Sequence, residues 1–105
     1  MSRVVCGGAA PARDASDEVQ NVCDQVKPRV EQILGASLTQ YRALKYRPQT
    51  VAGINYFVKV DTGNGNFLHL RIYKNLKGEV ELSGLQEGKT ELEEIEYFER
   101  HLNFD

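Results

Sequence analysis

Among 105 residues there is no block of lysine or arginine, no apolar run of more than a few residues, and only two cysteines and two histidines. Each scarcity removes a class of function. With 13 basic against 15 acidic side chains and a net charge of -2, no basic stripe is available to track phosphates, which argues against a nucleic-acid partner. No stretch approaches the roughly 20 apolar residues that cross a bilayer, so no membrane partner is expected. The N-terminal MSRVVCGGAAPA lacks the apolar core of about 7–15 residues that a secretory signal requires. We expect a cytoplasmic chain. Cys6 and Cys23 are too few for the disulfide framework of a small secreted domain, and two free thiols in a reducing compartment are expected.

Motifs for chemistry are equally scarce. There is no CxxC or HxxxH spacing for a metal, and neither GxGxxG nor GK[ST] for a phosphate. No cofactor, metal or catalytic residue is therefore assigned, and the chain does not read as an enzyme. A thiol nucleophile needs a histidine within hydrogen-bond reach in a structured site. Cys6 lies on a Gly/Ala-rich arm, and Cys23 falls among apolar residues at helical spacing, where cysteine behaves as a small hydrophobe. His69 is expected on the outward side of its strand and His101 at the surface; Glu91, Glu93, Glu94, Glu96 and Glu99 are expected on a solvated face.

What remains is an ordinary globular composition, 41% apolar and 27% charged, consistent with one domain spanning 1–105. Residues 1–13 read as a flexible N-terminal trunk, rich in glycine and alanine. Asp17 followed by Gln20 suggests a capping box, with Asp14 as the other candidate cap. Val19, Val22, Cys23, Val26, Val30, Ile33 and Leu34 then fall in one arc of a helix that ends at Gly35. Pro28 lies opposite that arc, where a carbonyl left without its donor can face water.

Beyond Gly35 the period changes. Ile54, Tyr56, Val58 and Val60 alternate with Asn55, Phe57, Lys59 and Asp61, a strand. Thr62-Gly63-Asn64-Gly65-Asn66 is a hairpin signal, followed by a strand with Leu68, Leu70 and Ile72 inward, a turn at Lys77-Gly78, and Val80 and Leu82. The last segment is ambiguous, its pattern favouring helix: Leu92, Ile95 and Phe98 suit one, while Ile95 and Tyr97 also alternate as in a strand. The class is α+β.

One tip is anomalous. Gln49-Thr50-Val51-Ala52-Gly53 sits at a strand connection yet is uncharged and partly apolar, where turns usually carry polar residues. QTVAG resembles the QxVxG signature of the cystatin superfamily, and Ile54-Asn55-Tyr56-Phe57-Val58-Lys59-Val60 resembles its continuation in the stefins, the type 1 cystatins, particularly their B-type members. Val5-Cys6-Gly7, Cys23-Asp24-Gln25-Val26, Phe67 to Tyr73 and Glu96-Tyr97-Phe98 extend the resemblance over nearly the whole chain.

That resemblance implies a cystatin fold, a five-stranded antiparallel sheet wrapped around one long helix, with Glu96-Tyr97-Phe98 in the C-terminal strand. It implies a tight, reversible inhibitor of papain-like cysteine proteases such as papain and cathepsins L, S, H and B, acting by occlusion of the cleft. The protease-binding wedge would comprise the trunk Val4, Val5, Cys6 and Gly7, the first loop Gln49, Thr50, Val51, Ala52 and Gly53, and the second loop Asn75, Leu76, Lys77 and Gly78. Thr50 stands where the family more often has valine, and Leu76-Lys77-Gly78 replaces a leucine-proline pattern in a shortened second hairpin. The alternative is a cystatin-fold interaction protein with lost inhibition. A monomer is expected, with a hairpin-swapped or Cys6-linked dimer left open.

Overall fold

The computed structural model describes residues 11–101, so Val4, Val5, Cys6 and Gly7 lie outside the described residues. The chain enters through a two-residue strand, β1 (Arg13–Asp14). The helix α1 (Asp17–Leu34) follows, and its cap is Ser16, whose hydroxyl accepts the Val19 N–H at 3.3 Å. Neither Asp17 nor Asp14 fills that role, because Asp17 is already helical and Asp14 is held in β1. Asp17 instead joins Glu18 in the first turn, where their charge complements the helix dipole. Gly35 closes the helix in the left-handed conformation, its N–H donating to the Glu31 carbonyl at 2.8 Å.

The apolar arc is buried over most of its length: Val19, Val22, Cys23, Val26 and Val30 are buried, Ile33 and Leu34 in the last turn only partly so, and Pro28 is on the exposed side. Removing such side chains from water stabilises the fold by roughly 1.5–3 kcal/mol each for the larger ones. The helix is also tied to the start of the next strand and the residue ahead of it. The Gln20 side chain bonds both the Tyr41 carbonyl and the Ala43 N–H, and the Tyr41 hydroxyl donates to the Cys23 carbonyl at 2.7 Å.

Four long strands follow: β2 (Arg42–Val51), β3 (Gly53–Gly63), β4 (Asn66–Lys74) and β5 (Val80–Lys89). With β1 they form one antiparallel sheet in the order β1-β2-β3-β4-β5. The β3–β4 turn takes positive φ at Gly63, Asn64 and Gly65, the conformation its Gly/Asn sequence anticipates. Period-two alternation sends Tyr56, Val58 and Val60 of β3, Leu68, Leu70 and Ile72 of β4, and Leu82 of β5 against the helix. Arg13, read from sequence as the end of the trunk, and Asp14, read as a candidate cap, instead pair with Tyr46 and Lys45.

The opposite face of the sheet is covered too. Residues 90–101 are neither helix nor, within the described residues, a paired strand; their single ladder contact is a parallel bridge from His101 to Gly84. The segment is irregular, with bends at 91–93, so neither the helix nor the C-terminal strand expected for Glu96-Tyr97-Phe98 forms; it crosses the face of the sheet over Lys59 and Arg47 and meets the β5 edge at His101. Side chains therefore meet its backbone. Lys59 Nζ donates to the carbonyls of Thr90, Glu91 and Glu93 at 2.5, 2.7 and 2.7 Å, and Arg47 donates to the Ile95 carbonyl at 2.7 Å. Phe57, wholly buried, is sandwiched by Tyr97 and Phe98, with ring centroids 4.7 and 5.6 Å away. The Tyr97 hydroxyl donates to the Pro48 carbonyl at 2.9 Å, while Arg47 lies 4.2 Å over the Tyr97 ring. Under this cover His69 is 1% exposed. Its outward position on β4 is right, but the outward face is not solvent.

Candidate functional site

The β2–β3 and β4–β5 turns emerge side by side from one end of the sheet, because β3 and β4 are neighbours and Ile54 pairs with Lys74. The first turn is very tight. Val51 pairs with Gly53, leaving Ala52 alone at the apex. Gly53 is required twice over: its φ is +110°, and a Cβ there would overlap the Lys74 carbonyl oxygen and press on Asn75 Cα and the Tyr73 ring. Gln49, at the base of the turn, accepts from Asn55 Nδ2 at 2.9 Å across the ladder. Thr50, Val51 and Ala52 are exposed.

Asn75 organises the second turn. Its side-chain oxygen accepts from the Lys77 and Glu79 N–H groups, both at 2.9 Å, and its amide nitrogen donates to the Glu79 carboxylate at 2.7 Å. Its backbone also exchanges bonds with Gly78 and Glu79. A short loop that satisfies so many of its own polar groups is preformed, and it presents Leu76, 83% exposed, at its tip. Val51 is 44% exposed, so the two turns carry two of the three large hydrophobic side chains exposed among the described residues; Leu92 is the third. The predicted loop residues, 49–53 and 75–78, are thus brought to one edge. Lys77 places a charge on the second turn, which the first lacks.

The supporting residues were not read from sequence as part of the site. Tyr73 donates its hydroxyl to the Ala52 carbonyl at 2.5 Å, and Tyr97 and Arg47 brace β2 immediately before Gln49. No local signal marks them, since each contact joins residues 21 or more positions apart.

Catalytic chemistry finds no footing among the described residues. Cys23 is inaccessible, and burial, aided by the nearby Asp24 charge, pushes its thiol up to about 12, so it is not a thiolate at neutral pH. Burial, with Lys59 and Lys89 adding to it, holds His69 down to about 4. The two cannot pair: Cys23 packs in the helix-side core and His69 lies on the other face of the sheet. The described residues contain no group of three or more His, Cys, Asp or Glu placed to hold a metal. No helix among them is long and apolar enough to cross a membrane. A cleft of about 490 Å³ between Ala12, Lys45, Arg47 and the turn at 91–95 contains no residue of either loop. Its cations are engaged within the chain, Lys45 with Asp14 at 2.6 Å and the other two with the C-terminal segment.

Comparison with known proteins agrees with this geometry. Residues 7–100 match the family model described as Cystatin domain. Mouse Cystatin-A is 41% identical over 97 residues, covering 90% of this chain and all of the relative. Cystatin-B of Oplegnathus fasciatus is 40% identical over 98 residues, covering 90% of this chain and 98% of its own. Mouse Stefin-3 is 40% identical over 91 residues, 85% of this chain and 88% of its own. The sheet wrapped on a single helix, the paired loop edge and these similarities lead to one conclusion: the chain belongs to the cystatin family, a family of cysteine protease inhibitors and not of enzymes.

Proposed function

We propose that this chain is a reversible, tight-binding competitive inhibitor of papain-like cysteine proteases, cathepsins L, S, H and B among them. The observation that carries the reading is the loop edge: an uncharged first turn with Val51 exposed, fixed beside a self-bonded second turn with Leu76 exposed. Two exposed apolar tips on rigid turns suit a narrow cleft shaped for peptide. Docking them orders little that is not already ordered, so limited apolar contact can still give tight binding.

In this reading Gln49, Thr50, Val51, Ala52 and Gly53 enter the cleft, Asn75, Leu76, Lys77 and Gly78 contact it alongside, and the trunk residues Val4, Val5, Cys6 and Gly7 occupy the adjoining subsites. Gly7 would let the trunk turn away from the enzyme thiol, so that no peptide bond is offered for attack. Inhibition is then occlusion without chemistry by the inhibitor. The working form is a cytoplasmic monomer, a single domain over residues 1–105 whose trunk leads into β1 at Arg13.

The test is titration of papain and a cathepsin with reduced, monomeric protein, following hydrolysis of a small peptide substrate. Stoichiometric, competitive loss of activity is expected. Full protease activity in the presence of micromolar folded monomer would overturn the reading and favour a cystatin-fold interaction protein. Removing residues 1–7 is expected to raise the dissociation rate more than it lowers the association rate; the reverse would remove the trunk from the wedge.

A further inference from the structure

We infer that Tyr73 is a positioning residue for the wedge, its hydroxyl tethering the apex of the first turn to the strand end that carries the second. The inference rests on the inhibitor reading above and adds to it a residue outside both loops. Ala52 is the single apex residue between the paired Val51 and Gly53 and is itself outside the ladder. The Tyr73 hydroxyl donates to its carbonyl at 2.5 Å.

The fit around this bond is mutual. Tyr73 pairs with Asn55 on the β3–β4 ladder, two positions from Gly53. To reach Ala52 its ring passes over Gly53, where an added Cβ would stand only 3.1 Å from Tyr73 Cε1. The absence of a side chain at 53 therefore makes room for the ring at 73. Asn55 itself bonds Gln49, so a row of cross-strand neighbours, Gln49, Asn55 and Tyr73, braces the turn from one face of the sheet.

The consequence is a coupling between loops. Tyr73 lies two residues before Asn75, which organises the second turn, and the Gly53 backbone abuts Lys74 and Asn75. Holding Ala52 with Tyr73 fixes the spacing between the Val51 and Leu76 tips before any enzyme arrives. Without the hydroxyl the apex is free to move relative to the second turn, and a fraction of molecules present the two tips out of register.

Tyr73→Phe removes the donor and keeps the ring over Gly53. The inhibition constant for papain is expected to rise roughly threefold to tenfold, the range set by the loss of one exposed hydrogen bond, with no more than a small fall in the urea unfolding midpoint. In the free protein the Ala52 carbonyl carbon resonance should shift, and the amide order parameters of Ala52 and Gly53 should fall, while those of α1 stay fixed. An unmoved Ala52 resonance would overturn the tether. A moved resonance with an unchanged inhibition constant would overturn the positioning role. Failure of the unaltered protein to inhibit would instead overturn the inhibitor reading, and this role with it, and is told apart because it appears before any variant is made.

Discussion

Lys59 and His69 stand opposite one another on the β3–β4 ladder, both almost fully buried beneath the C-terminal segment. The lysine is satisfied by three carbonyls, whereas neither ring nitrogen of the histidine has a hydrogen-bond partner among the described residues. A buried imidazole beside a buried ammonium, with Lys89 also near and Glu93 only partly offsetting them, stays neutral.

That neutrality predicts acid sensitivity. The His69 pKa in the fold, about 4, lies below its ordinary 6.5, so between those values the unfolded chain binds the extra proton. Titration of His69 therefore leaves the fold untouched above about pH 6.5 and destabilises it progressively as pH falls toward about 4. His69→Leu is expected to flatten that part of the profile and to add about 1 kcal/mol at pH 7 by removing unpaired polar atoms. Unfolding midpoints of both proteins from pH 7 to pH 4 check this; parallel profiles would exclude it.

Lys59 is expected to be the clamp of the C-terminal segment. Lys59→Met keeps the stem but strands three carbonyls, and we predict a loss of about 2 kcal/mol together with faster amide exchange over residues 90–101. Exchange confined to its original rate in that segment would show that the Phe57, Tyr97 and Phe98 rings hold it unaided.

Much of this molecule is legible in its sequence, and the boundary has a physical cause. Val19 to Val30 and the Tyr56, Val58, Val60 series announce their buried faces because one period and one partner decide them. Alternation assigns Lys59 and His69 to the other face with equal certainty, yet it carries no information about what covers that face. The cover comes from Ile95, Tyr97 and Phe98, whose spacing fits helix and strand alike, and which settle by crossing the sheet. In the same way QTVAG marks the loop, while Tyr73, which steadies it, is found only through a contact 21 residues long in sequence.

Gly53 admits no side chain. Gly53→Ala combines positive φ with an overlap against the Lys74 carbonyl, and it is expected to cost about 2 kcal/mol or more and to displace the second turn as well as the first. Thermal unfolding and the amide resonances of Asn75 to Gly78 report both effects; a shift limited to residues 49–53 would argue against the coupling of the loops.

At Val51 folding and binding should separate. The side chain is 44% exposed, so Val51→Asp is expected to leave the unfolding free energy within about 0.5 kcal/mol of its original value. Burying the new charge in a protease cleft should weaken papain inhibition by at least about a hundredfold. Inhibition that survives the substitution would exclude entry of this turn into the cleft.

The brevity of β1 has a last consequence. Among the described residues it covers β2 at Lys45 and Tyr46, with Ala15 adding a bond to the Leu44 carbonyl, and an uncovered outer strand is ordinarily a template on which further chains can stack. Here the next positions make a poor template. Pro48 has no N–H to offer, its carbonyl is taken by the Tyr97 hydroxyl, and Arg47 is drawn over the Tyr97 ring and bonded to Ile95. The apolar tip at Val51 is thus reached by a strand segment whose own backbone offers a second chain little to pair with.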